Sequence, residues 1–264
     1  MAEAHFRGPA GVLAVLLLEI ALGSLGVLVV APVWGVVKRG YFLLVGWTVA
    51  VCALLAWLSA RGALADAGSD GTLANVALLA LLGLSAASLA ALQTRREAVG
   101  RWLGAAGCIA GVVAVVGIAQ LRGSGGELWG GLAAMLTGAA FLGATWDGMV
   151  LGHWYLVDRK LTVSPMRWHA WAFTAGIALA LVSAGLAKGG TPTGSEAGLN
   201  PLLYVSNLTL YLAFGLVAVN ALLAFFVHKL VNEGSIRAAT GMLYLAVIMA
   251  FAAEFAAKAR FFTV

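Results

Sequence analysis

Eight apolar runs, each long enough to span a lipid bilayer, set the limits on how this chain of 264 residues folds. They lie at roughly Pro9 to Trp34, Tyr41 to Ala60, Leu73 to Leu92, Trp102 to Leu121, Trp129 to Val157, Trp168 to Ala187, Leu202 to Val227 and Ala238 to Ala257. A membrane-spanning helix needs about 20 predominantly apolar residues. In hydrocarbon every backbone N–H and C=O must be satisfied within the protein, and a helix does this inside a single segment. The expected fold is therefore an all-α integral membrane protein, a bundle of about eight transmembrane helices. Composition agrees: 62% of residues are hydrophobic and 10% charged, against about 25% charged in ordinary soluble domains.

No segment between the runs is long enough for a soluble domain, so residues 1–264 are read as one polytopic membrane domain. The net charge of +5 fits loops that meet anionic lipid headgroups. Nucleic acid is not an expected partner, because a basic face on a water-soluble body is missing. Cys52 and Cys108 both fall inside apolar runs and read as packing residues. Tryptophans 34, 102, 129, 154 and 168 sit near proposed helix ends, where an interfacial belt places them.

Lysine and arginine set the expected orientation. Ten of them, from Lys38 to Arg237, fall in the loops after the first, third, fifth and seventh runs. Basic short loops stay in the cytoplasm, so both termini are expected outside it, with the chain in the cell membrane. A weak internal repeat relates 9–121 to 129–257. LGSLGVLVVAPVWGVVKR, from Leu22, aligns with LGATWDGMVLGHWYLVDR, from Leu142, at a constant offset of 120. Four helices per half preserve direction, so two parallel four-helix halves are expected.

Ionisable side chains inside a membrane are costly and mark function by default. Asp147 lies about 15 Å deep in the fifth run and His153 about 7 Å deep, at 1.5 Å per residue. Trp146, Trp154 and Tyr155 flank them. Glu19 lies near the middle of the first run, with no neutralising partner on its own helix. Together these six residues form the candidate quinone or proton site, since a quinone head needs stacking surfaces and proton-exchanging donors.

Secondary candidates are Glu254, expected near the outer surface in an i,i+4 pair with Lys258, and Asn207 with Tyr211, neighbours on one helical face. No catalytic or metal-binding residue is assigned. A bis-His haem would have to draw on His153, His169 and His228. His169 and His228 are expected among headgroups at helix ends, so haem b is not expected.

The expected function is a membrane-embedded subunit of a respiratory or other electron-transfer complex. It would provide a quinone-binding or proton-conducting site while partner subunits carry the redox centres. No cofactor is assigned firmly; quinone is the expected ligand, and the lipid bilayer and redox subunits are the expected partners. The chain itself would be at most a non-catalytic part of an oxidoreductase. The alternatives are a secondary transporter or channel for a small solute or ion, and a structural or assembly subunit.

Overall fold

The computed structural model describes residues 9–121, 125–158, 160–186 and 208–262. It is all-helical over these residues: α1 (Pro9–Val30), α2 (Arg39–Asp66), α3 (Thr72–Gln93), α4 (Glu97–Gln120), α5 (Gly126–Val157), α6 (Ser164–Leu186), α7 (Leu208–Asn232) and α8 (Ile236–Phe262). Among the described residues seven helices, α1 to α5, α7 and α8, are long and apolar enough to cross a membrane. The eighth, α6, has 23 residues and packs between α5 and α7.

Helix ends follow local chemistry where apolar length alone does not reveal them. The first helix stops at Val30, short of the expected Trp34. Pro32 lies two residues beyond; its ring supplies no N–H and clashes with the preceding turn. Trp34 instead folds back, donating Nε1–H to the Leu28 carbonyl at 2.8 Å and stacking on Phe42 at 4.3 Å. The second helix runs on to Asp66, past the expected end at Ala60, so part of the expected outer loop is helical. The seventh ends at a glycine with φ of +76°, Gly234, whose neighbour Ser235 donates back to the Leu230 carbonyl at 2.8 Å. Glycine fits this left-handed closing position because it has no Cβ to clash.

The two four-helix segments show the same order of neighbours. Within each, the first helix packs on the second and fourth, the second on the third, and the third on the fourth. Between them α1 lies along α5, with α1–α8 and α4–α5 contacts on either side. Glycines make the central contact. A methyl group on Gly23 would overlap the Ala139 carbonyl, and one on Gly143 would overlap the backbone of Gly23. On α4, Gly107 and Gly111 leave room for Leu25 and Leu22 of α1. Small residues at such crossings let backbones approach in a solvent that gives apolar side chains no hydrophobic drive to associate.

One end of the bundle is tied by basic residues. Arg101 donates through Nε and Nη2 to the Val29 carbonyl, at 3.2 and 2.9 Å, near the C-terminus of α1. Arg39 donates to the Gln93 carbonyl at the C-terminus of α3, at 3.1 Å. Cations favour this negative end of a helix and satisfy its last carbonyls. Lys38 pairs with Asp158 at 2.9 Å, joining the α1–α2 turn to the end of α5. Its hydrogen bond holds the Asp158 carboxyl below the usual carboxylate range.

Candidate functional site

The interior carries two polar clusters, one above and one below the Gly23–Gly143 crossing. The first gathers Glu19 from α1 with Glu254 and Lys258 from α8. Lys258 Nζ lies 2.9 Å from Glu19 Oε1, 2.8 Å from Glu254 Oε2 and 3.0 Å from the Ala134 carbonyl of α5. All three side chains are buried; Lys258 is 0% exposed. The contacts to Glu254 and Ala134 are hydrogen bonds, and that to Glu19 is an ion pair. Gly138 makes the convergence feasible. A Cβ there would come within 2.8 Å of both Glu19 Oε1 and Glu254 Oε2.

This corrects two expectations. Glu254 does form its i,i+4 pair with Lys258, buried in the bundle and about two turns before the end of α8 rather than in its last turn. Lys258 is not a flanking residue beyond a helix ending at Ala257, because α8 continues to Phe262 and turns the lysine inward. The partner that Glu19 lacks on its own helix is supplied from α8.

The second cluster surrounds Asp147 on α5. The side chain is 0% exposed, and neither carboxylate oxygen has a hydrogen-bond partner among the described residues. Ser24 of α1 is its polar neighbour, in an arrangement short of an aligned hydrogen bond. On the residue after Asp147, a Cβ at Gly148 would lie 3.8 Å from His169 Cβ of α6, which faces Tyr41 of α2. The Tyr41 hydroxyl in turn faces His169 Nε2 at 3.4 Å, and His169 Nδ1 faces the Pro165 carbonyl at 2.9 Å. His169, expected at the headgroups, is 1% exposed.

The other expected residues are dispersed. His153 is exposed, and its Nδ1 meets the Tyr244 hydroxyl at 3.0 Å. Trp154 lies over Gly40, where even a methyl group would strike its ring. Tyr155 donates its hydroxyl to the Thr162 carbonyl and so ties down the α5–α6 loop. His228, also expected at the headgroups, reaches across from α7 to Thr174 Oγ1 at 2.8 Å. Each of the three histidines considered for haem bonds to a different residue. Tyr211 is 67% exposed on α7 instead of facing inward, and Asn207 lies outside the described residues. Among the described residues no group of three His, Cys, Asp or Glu side chains could hold a metal.

Trp146 retains a place beside Asp147. It lines an apolar cavity of about 380 Å³ bounded by α1, α2, α5 and α8, with Ile20, Cys52, Thr145, Ile248 and Phe251. Among the described residues no Cα of α2 lies within 8 Å of one of α8. Ile248, 61% exposed, stands at the outer side of the cavity. The Trp146 Nε1–H is buried without a hydrogen-bond partner among the described residues.

Seven long apolar helices in one all-helical bundle, with carboxyls and an ammonium held inside it, make this a multi-pass membrane protein. No family model, curated protein or solved structure matches the chain.

Proposed function

We propose that this chain is the membrane subunit of an electron-transfer complex, handling protons at Asp147 for a quinone held in the neighbouring cavity. The carrying observation is the adjacency of Trp146 and Asp147: one residue lines an apolar cavity, and the next is a buried carboxyl without a hydrogen-bond partner. Reducing a quinone to a quinol takes two electrons and two protons. A redox centre on a partner subunit supplies the electrons, and Asp147 passes protons one at a time to the quinone oxygens. The apolar lining suits an isoprenoid tail, and the Trp146 ring offers a flat surface for the head. In this reading the basic end of the bundle faces the cytoplasm, and both termini lie on the other side.

A second reading draws support from the Glu19–Lys258–Glu254 cluster. Two polar clusters separated by a tight helix crossing also suit a proton-coupled transporter for a small solute.

Extraction in mild detergent separates the two. The first reading expects redox subunits in fixed proportion and a quinone in the lipid extract. It also expects Asp147→Asn to assemble normally while lowering quinone-linked turnover at least tenfold, within the range of a lost acid–base group. A lone monomer or homo-oligomer without quinone, or full turnover in Asp147→Asn, overturns it.

A further inference from the structure

We infer that the Trp146 cavity is loaded sideways from the bilayer, through the cleft between α2 and α8, by an isoprenoid lipid. The inference rests on the reading of the cavity as a quinone site and adds the route and the class of chain it takes.

The lining residues define the route. The deepest part is buried: Ile20 of α1, with Leu142 and Thr145 of α5. Towards the surface the lining comes from α2 and α8, where Cys52 is partly exposed and Ile248 mostly so. Both helices pack on α1 and α5, yet no Cα of one lies within 8 Å of the other among the described residues. The two helices therefore flank the cavity without closing it.

Depth decides what can use this opening. Cys52 lies about 20 Å from the start of α2 and about 21 Å from its end, at 1.5 Å per residue. Ile248 lies about 18 Å from the start of α8 and about 21 Å from its end. The starts of α2 and α8 share the end of the bundle where α5 finishes: Lys38 pairs with Asp158, and Tyr244 meets His153. The opening is thus midway along both helices, near the centre of a hydrocarbon core about 30 Å thick. Every exposed residue within three positions of Cys52 or Ile248 is apolar: Val51, Leu54, Leu55 and Leu245. A water-borne solute meets no polar group to guide it there, so the solvent at the opening is hydrocarbon.

The same depth selects the ligand. A phospholipid keeps its headgroup at the interface, half the core thickness or about 15 Å from the opening. Only the end of its acyl chain reaches the cavity. An isoprenoid lipid without a bulky polar headgroup moves within the core and carries its own head to the opening. That head rests against Trp146, beside Asp147, and the tail trails back between α2 and α8.

The test uses the purified full chain in phospholipid nanodiscs. The probe is geranylgeraniol carrying a photoactivated diazirine in its chain; captured residues are mapped by mass spectrometry shortly after the probe is added. Capture on Cys52 and Phe251 should be saturable: about a tenfold excess of plain geranylgeraniol should lower it by roughly tenfold, as mass action at one site requires. Capture on Phe225 of α7, exposed and outside the cavity, should not fall. Ile248→Trp and Val51→Trp add bulk at the opening from exposed positions. Each should cut the saturable capture by a comparable factor, with unfolding temperature and Phe225 capture unchanged. Leu222→Trp, exposed on α7, should behave as the parent. Absent capture, or capture that plain geranylgeraniol leaves unchanged, overturns the inference, because the excess phospholipid of the nanodisc then holds the cavity. Parent-like capture in both Ile248→Trp and Val51→Trp overturns it as well, since entry then lies elsewhere. The probe has no quinone head, so the two readings fail separately. Saturable capture without quinone in the lipid extract keeps the route and removes the quinone. Quinone in the extract with parent-like capture in both variants removes the route alone.

Discussion

Lys258 holds its ammonium between carboxylates from two helices, with no exposed surface. Removing one member of a buried ion pair strands the other charge and typically costs about 3–5 kcal/mol. Lys258→Met is therefore expected to lower stability by about that amount in detergent unfolding. Adding Glu19→Gln to Lys258→Met should restore part of the loss, because it removes a stranded carboxylate. A single Lys258→Met substitution that leaves stability unchanged would show that the cluster is uncharged. Asp158 gives the pH dependence. Its folded pKa is depressed by Lys38, so the pair stabilises the fold above the unfolded carboxylate value of about 4 and is lost as pH falls through the lower folded value. Protease sensitivity of the 31–38 turn should be flat through neutral pH and rise only in strong acid, and Lys38→Met should abolish that rise.

At this scale the sequence showed which acids were buried, because a carboxyl within an apolar run has few other reasons to be there. It showed one partner, Lys258 for Glu254, and missed that the same lysine also reaches Glu19. Lys258 looked like a flanking charge because its burial depends on α8 extending past Ala257. His153 was expected about 7 Å deep and His169 among headgroups, yet the packing faces of α5 and α6 set His153 against Tyr244 at the surface and His169 against Tyr41 inside. Tyr41 sits at the first residue of an expected helix, where an interfacial tyrosine is unremarkable.

Among the elements, α1 and α5 depend most on close approach. Overpacking a tight contact typically costs about 1–3 kcal/mol. Gly23→Ala is expected to cost that much or to block assembly, since the methyl group meets backbone that cannot rotate away. Gly26→Ala, on the next turn with nothing within 4 Å, is the control and should be neutral or slightly stabilising. Monodispersity and thermal unfolding of the two variants check this. The existence of every helix was legible from apolar length. Their ends were less so, because Pro32 and the extensions of α2 and α8 are decided by local backbone chemistry and by tertiary contacts. Arg39 and Arg101 add a further lesson: both entered the charge count that orients the chain, and both are also bound to helix C-termini.

Over the whole molecule, two contacts join residues 120 apart. They are Gly23 with Gly143 and Lys38 with Asp158, and 120 is also the offset of the sequence repeat. If each half is a folding unit, co-expressed fragments cut between residues 121 and 125 should reassociate and co-purify, and Gly23→Ala should weaken that association. Fragments that never meet would mean that the halves lack independent structure. The centrality of α1 and α5 was not legible from composition, since apolar residues surround nearly every helix and give little clue to which face meets protein.

The Gly23–Gly143 crossing also has an electrical consequence. It has no space for a methyl group, and it stands between Glu19 and Ser24, about 7.5 Å apart along α1. That is roughly a quarter of a hydrocarbon core about 30 Å thick. A charge crossing the whole core at 100 mV gains or loses about 2.3 kcal/mol. A proton passing between the two clusters would cross about a quarter of that field, roughly 0.6 kcal/mol for each 100 mV. Membrane voltage thus acts differently on the two sides of the crossing, so an energised membrane would favour protonation of one cluster over the other.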